Sequence, residues 1–268
     1  MNESFRRIYA LIVRYIYLHQ RSLARTLEIV FWPVMELVVW GFVTLYIESV
    51  SLNTTSKTAL FLVHSMIFWD ILYKSQQGVS LCFVEEIWTQ NITNLLASPL
   101  KIWEWLTATY LYGLMKTSLA AILLALIAWL AYHYNIISSL GLYVAPLAFN
   151  LVLFGWSLGI FTSALLIRLG HASEALIWGI PFLIQPISAI FYPLEVMPSW
   201  LQKIALCLPS TYIFEGIRFV IKNQYLDWSF FLIPLSLNIF YFLLSILFFK
   251  RLFKTSQAMG RLVKLGLD

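Results

Sequence analysis

The chain has 268 residues, of which 60% are hydrophobic and only 12% charged. A soluble domain carries about twice that charge share, and a soluble fold of this composition would leave broad apolar patches in water. The net charge of +5 is spread over the ends of apolar runs, which fits anionic lipid headgroups and argues against nucleic acid as a partner.

At about 100° per residue, Arg7, Arg14, Arg21 and Arg25 fall on one stripe of an N-terminal helix, with Phe5, Ile12, Ile16 and Leu23 opposite. This predicts a basic amphipathic helix lying in the membrane surface, either as an anchor or as a contact for a partner protein. A signal peptide is not expected, because Arg14 interrupts the apolar stretch and no small-residue cleavage site follows.

Six apolar runs follow, each long enough to span a bilayer. They are Leu27 to Ile47, Thr58 to about Val79, about Trp105 to Tyr132, Gly141 to Ile167, Ser173 to Tyr192, and about Trp228 to Phe249. The fifth carries Pro181 and Pro186 and should be kinked. With both termini on one side, that side collects thirteen Lys and Arg residues against four on the other, with Lys116 inside the third run. The side with the excess is expected to be the cytoplasm. No linker, repeat or low-complexity tract divides the chain, so one domain is expected over 1–268: an interfacial helix over 1–26, a membrane region over 27–250 and a cytoplasmic tail over 251–268.

Two connections are more than loops. The cytoplasmic one reads as a short amphipathic helix from Glu85 to Ala97, stopped before Pro99. Trp88, Ile92 and Leu95 recur at helical spacing among Glu85, Glu86, Gln90 and Asn94. The other, Pro193 to Asp227, is divided by Pro198 and Pro209 into short helices near Ser199–Cys207 and Thr211–Lys222. Their apolar residues, among them Trp200, Leu201, Ile204, Phe214, Ile217 and Val220, favour a re-entrant hairpin buried against the bundle.

Asp70 and Lys116 are the charges expected deepest in the membrane. They either pair across a polar interior, or Lys116 snorkels to the headgroups while Asp70 pairs with Lys74, four residues on. Glu28 and Glu36 lie two turns apart on the first run, and Arg168 and Glu174 bracket a tight turn; all four read as structural. Cys82 and Cys207 fall on opposite sides, so no disulfide is expected.

Several chemistries are missing from the sequence. There is no Gly-x-x-x-x-Gly-Lys-Ser/Thr phosphate loop, no His-Glu-x-x-His and no Gly-x-Ser-x-Gly. The four histidines, His19, His64, His133 and His171, are scattered, so no metal site and no catalytic residue is expected. Asn53-Thr54-Thr55 matches a glycosylation sequon, which carries no meaning in a bacterial protein.

With these residues assembled, the whole chain resembles the permease subunits of ABC-2 type exporters. Glu85 to Trp105 resembles that family's segment between the second and third helices, with its Leu-Leu-x-x-Pro core at Leu95 to Pro99. Phe191 to Arg218 resembles the segment before the last helix. There an acidic residue precedes a Pro-x-Trp-Leu helix, then come a Leu-Pro turn and a Glu-Gly-x-Arg helix, here Glu195, Pro198, Trp200, Pro209, Glu215 and Arg218. The resemblance implies an all-α membrane protein of six transmembrane helices, with an N-terminal interfacial helix, a cytoplasmic coupling helix and an external re-entrant hairpin. It implies a bacterial cytoplasmic membrane, a second permease copy and separate ABC ATPase subunits that carry ATP and Mg. In that reading Glu85, Glu86, Trp88, Asn91 and Leu95 couple to the ATPase. The expected cargo is amphipathic, lipid-linked or glycan. The alternatives are an ion-coupled secondary transporter, which would need an internal repeat that is not seen, and a membrane-embedded lipid-modifying enzyme.

Overall fold

The computed structural model describes residues 3–50 and 56–259, so the Asn53 sequon, Arg261 and Lys264 lie outside the described residues, as do the side chains of Arg25, Glu28, Lys57 and His171. The described residues are mostly helical, with no strand among them. The helices are α1 (Glu3–Gln20), α2 (Leu23–Val50), α3 (Ser56–Trp88), α4 (Ile92–Ala97), α5 (Ile102–Tyr132), α6 (Ile136–Leu140), α7 (Val144–Leu169), α8 (Ala175–Ile184), α9 (Ser199–Ala205), α10 (Pro209–Asn223) and α11 (Ser229–Ala258).

Among the described residues, four helical stretches are long and apolar enough to cross a membrane, over Val30–Ile47, Ile102–Tyr132, Ile136–Leu169 and Ser229–Ala258. A fifth span results if α9 and α10, bent by 100° at their junction, count as one. The second and fifth apolar runs differ from expectation in instructive ways. α3 is 33 residues long, about 50 Å at the rise of a helix, yet too polar for a lipid-facing span. It carries Asp70, Lys74, Gln76, Gln77, Glu85 and Glu86, and all six are buried. α3 is therefore the central post of the bundle, and its neighbours shield those groups. α8 has only 10 residues, contains Pro181 and continues as a 3-10 turn, so the fifth run is short and broken.

Two apolar clusters stack along α3. At one end Phe68, Trp69 and Leu72 pack with Leu147 and Leu151 of α7 and Phe214 and Ile217 of α10. At the other end Cys82 and Phe83 pack with Leu11 and Tyr15 of α1, Trp105 and Leu106 of α5, and Phe249 and Phe253 of α11. The outer stripe of α5, with Met115, Leu119, Ile122, Leu126 and Trp129 exposed, has the composition of a lipid-facing surface.

In lipid, apolar burial does not hold helices together; close backbone approach and hydrogen bonds do. Both are present on α3. Its Gly78 meets Gly113 of α5 so closely that a Cβ on Gly78 would stand 2.5 Å from the Gly113 Cα. On α7, Gly155 and Gly159 form a Gly-x-x-x-Gly face against α3, and a Cβ on Gly155 would lie 2.7 Å from the Leu72 carbonyl oxygen. Beside these glycines, Gln76 donates to Thr162 at 3.3 Å and Ser80 donates to the Gly159 carbonyl at 3.3 Å. Gly155→Ala is therefore expected to cost about 1–3 kcal/mol by overpacking. Gly179→Ala is the matched control, because Gly179 has nothing within 4 Å of its Cβ position. Thermal unfolding of the two variants in detergent checks this; equal midpoints would refute the tight α3–α7 seam.

Candidate functional site

The segment that the sequence reads as one helix from Glu85 to Ala97 is split. α3 ends at Trp88, and α4 begins at Ile92. Gln90 takes a left-handed backbone with φ 52°, and the chain closes a Schellman motif there. Asn91 N–H reaches the Glu86 carbonyl at 2.9 Å and Gln90 N–H reaches that of Ile87 at 3.0 Å. The stop is hard to read from sequence because glycine, the usual residue for it, is absent.

This turn is fastened to α1. The Glu86 carboxylate is fully buried. It accepts hydrogen bonds from Arg14 at 2.6 and 2.9 Å and from the Asn91 side chain at 2.7 Å. One turn pair earlier on α1, Arg7 donates to the Pro99 carbonyl at 2.8 Å and stands 3.5 Å from the buried Glu104 carboxylate. Glu104 also accepts from the Lys101 backbone N–H at 2.9 Å, capping the first turn of α5. Burial pushes the Tyr15 phenol well above its ordinary value, so it stays neutral and accepts the Trp105 indole N–H at 2.9 Å.

The basic stripe read from the sequence is thus divided in use. Arg7 and Arg14 face the protein's own acids, whereas Arg21 is exposed. Sequence reasoning missed these pairs. The available signal was two acids, Glu86 and Glu104, at either end of one connection opposite a stripe of arginines.

Of the five residues singled out for coupling, Glu85 and Glu86 are buried, Asn91 and Leu95 are half-buried, and Trp88 is 47% exposed. The Trp88 indole donates to Glu174 at 2.7 Å, which ties the end of α3 to the turn before α8. Around Trp88 the outward surface is formed by Thr89, Gln90, Thr93, Asn94, Leu96 and Ser98, all exposed. The structure therefore presents a small mixed polar and apolar face on a base fixed by buried ion pairs.

At the far end of α3 a second constellation forms around Arg218. Its guanidinium donates to Glu215 at 2.6 Å, to the Tyr192 carbonyl at 2.6 Å, and to the carbonyls of Ala189 and Ile190. It also stacks over the Phe61 ring at 4.1 Å. Glu215 in turn accepts the Leu194 N–H at 2.9 Å, and Ser188 and Ser210 share a hydrogen bond at 2.7 Å. Pro209 is buried, while Glu195, Pro198 and Trp200 are exposed. The Glu-Gly-x-Arg stretch thus works as a latch on the irregular chain that follows α8.

Asp70 and Lys116 stand apart. The Ser75–Thr117 hydrogen bond and the Gly78–Gly113 contact set the α3–α5 register, which places Asp70 level with about residue 121 of α5. That is about five residues, or roughly 8 Å along the axis, from Lys116. Lys116 lies over the Tyr112 ring at 5.7 Å, one turn back along α5. Among the described residues no three His, Cys, Asp or Glu side chains form a metal-binding group.

The sequence pattern of the family described as ABC-2 type transporter matches residues 8–222. That range takes in both constellations except Arg7. The chain is also 44% identical over 55 residues to "Putative transport permease ycf38" of Porphyra purpurea. This second match spans 20% of the chain and 18% of the relative's length.

Proposed function

We propose, from the premise that this chain belongs to the ABC-2 type transporter family, that it is the membrane permease of an ATP-driven exporter. In this reading two copies flank the path, and separate ABC ATPase subunits bind ATP and Mg and supply the energy. Six spans are formed by α2, α3, α5, α7, the α8 segment and α11, with both termini in the cytoplasm of a bacterial cell. α1 lies in the inner interface, α4 is the coupling helix, and α9–α10 re-enters from outside. The cargo is an amphipathic, lipid-linked or glycan molecule.

The observation that carries the reading is the fastening of the α3–α4 turn. A segment that receives force from a motor must be stiff, or the displacement is lost in loop motion. Here the turn is held by the Arg14–Glu86 pair and the Asn91 bond. The exposed residues Trp88 and Leu96 sit directly on that base and suit an apolar groove on a partner.

The test is ATPase stimulation after reconstitution with a candidate partner ABC ATPase. Trp88→Ala with Leu96→Ala should lower stimulation at least tenfold while the unfolding midpoint moves by no more than a few degrees, as expected for exposed interface anchors. Full stimulation by the double variant would overturn the docking role. ATP-independent cargo movement in vesicles would overturn the exporter reading itself.

A further inference from the structure

The arginine stripe of α1 is only partly spent on the docking base. Arg7 pairs with Glu104 and Arg14 with Glu86, whereas Arg21 is exposed and makes no ion pair among the described residues. Arg21 borders a groove of about 420 Å³ whose described wall is Ala10, Val13, Arg14, Tyr17, Leu18 and Arg21. Arg14 and Arg21 are two turns apart on this wall, about 10 Å along the helix. The Tyr17 ring, 58% exposed, lies between them. Arg14 meets Glu86 through its two terminal nitrogens, and a guanidinium carries five N–H donors, so its outer edge still has donors to offer.

The depth of the groove decides what it faces. α1 follows α5 into the bundle. Arg7 stands 3.5 Å from Glu104 in the first turn of α5, and the His19 ring faces that of Tyr112 at 5.9 Å, eight residues further on. That is about 12 Å along α5. Arg21, at the turn from α1 into α2, therefore lies on the membrane side of the docking base, close below the span that begins at Val30. Cationic forks, a phenol and an apolar wall meet there. An anionic phospholipid carries the complement of each: a phosphodiester for arginine, head and glycerol oxygens for the phenol, and acyl carbons for the wall.

We propose that this groove binds the head of an anionic phospholipid of the inner leaflet. Arg21 and the outer edge of Arg14 hold its phosphate, and Val13 and Leu18 take its glycerol and upper acyl carbons. The inference rests on the permease reading only for the placement of α1 at the inner membrane surface. Arg14 then serves two anions at once, and the docking base is moored to the bilayer as well as to the protein.

The test uses the full chain in detergent without any ATPase, titrated with phosphatidylglycerol or with phosphatidylcholine of the same acyl chains and followed by native mass spectrometry. Saturable binding of phosphatidylglycerol, at least tenfold tighter than that of phosphatidylcholine, is expected. Arg21→Gln should weaken it about fivefold, the worth of one cation at an anionic lipid, and leave phosphatidylcholine unchanged. Arg6→Gln removes a likewise exposed charge from the same helix outside the groove and should change it less than twofold. Equal affinity for the two lipids, or equal losses in the two variants, overturns the proposal. So does an unchanged lipid affinity in Arg21→Gln; if that variant instead binds the candidate ATPase more weakly, the groove belongs to the partner. Lipid binding is read without the ATPase, so its failure leaves the exporter reading intact, whereas ATP-independent cargo movement would sink that reading and leave the lipid site standing.

Discussion

Arg14→Ala is expected to damage the protein more than the paired replacement of Arg14 and Glu86 by methionine. Glu86 is wholly buried and takes two of its three side-chain hydrogen bonds from Arg14. Removing one member of a buried pair strands the other, at about 3–5 kcal/mol. The Arg14 side chain is 32% exposed, so solvent screens part of that loss, and about 2–3 kcal/mol is the better expectation. Replacing both by apolar side chains removes the stranded charge and recovers most of it. A double-mutant cycle on unfolding midpoints measures the coupling. ATPase stimulation should track it, falling in Arg14→Ala and returning in part in the double variant. Simple additivity of the two single losses would sink the idea that the pair is what holds the turn.

The second large effect is expected at Arg218. Alanine there removes one of the two donors to Glu215, takes the guanidinium from three carbonyls and strips the cation from the Phe61 ring. Both side chains are partly exposed, at 16% and 22%, which tempers the cost to about 3 kcal/mol. Arg218→Lys should recover less than half of that, because an ammonium cannot fork between a carboxylate and several carbonyls. Limited proteolysis across 189–198 together with thermal unfolding reads the result. If lysine serves as well as arginine, the latch is a point charge and not a fork.

Much of this was legible because the patterns are local. The α1 stripe, the short α9 and the Pro209 start of α10 follow from helical spacing and proline positions; α9 and α10 are found within two residues of their expected bounds, whereas α1 stops at Gln20, six residues before the expected end of the interfacial helix, and Arg25 falls in α2. What stayed illegible depends on partners far along the chain. Arg14 meets Glu86 and Arg7 meets Glu104 only after α1 folds back on α3 and α5. The same arginines read equally well as headgroup contacts until then. The register of α3 against α5, which sets Asp70 and Lys116 at different heights, comes from the Gly78–Gly113 approach. α3 itself shows that a central helix shielded by its neighbours tolerates charges that an outer helix could not.

α3 runs without interruption from the Phe61 ring beneath Arg218 to the Trp88 indole at the proposed docking face. An α-helix stretches and bends little over about 40 Å, so the two faces of the bundle share one crankshaft. A twist imposed at Trp88 must arrive at the latch as a twist, with no soft coupling to absorb it.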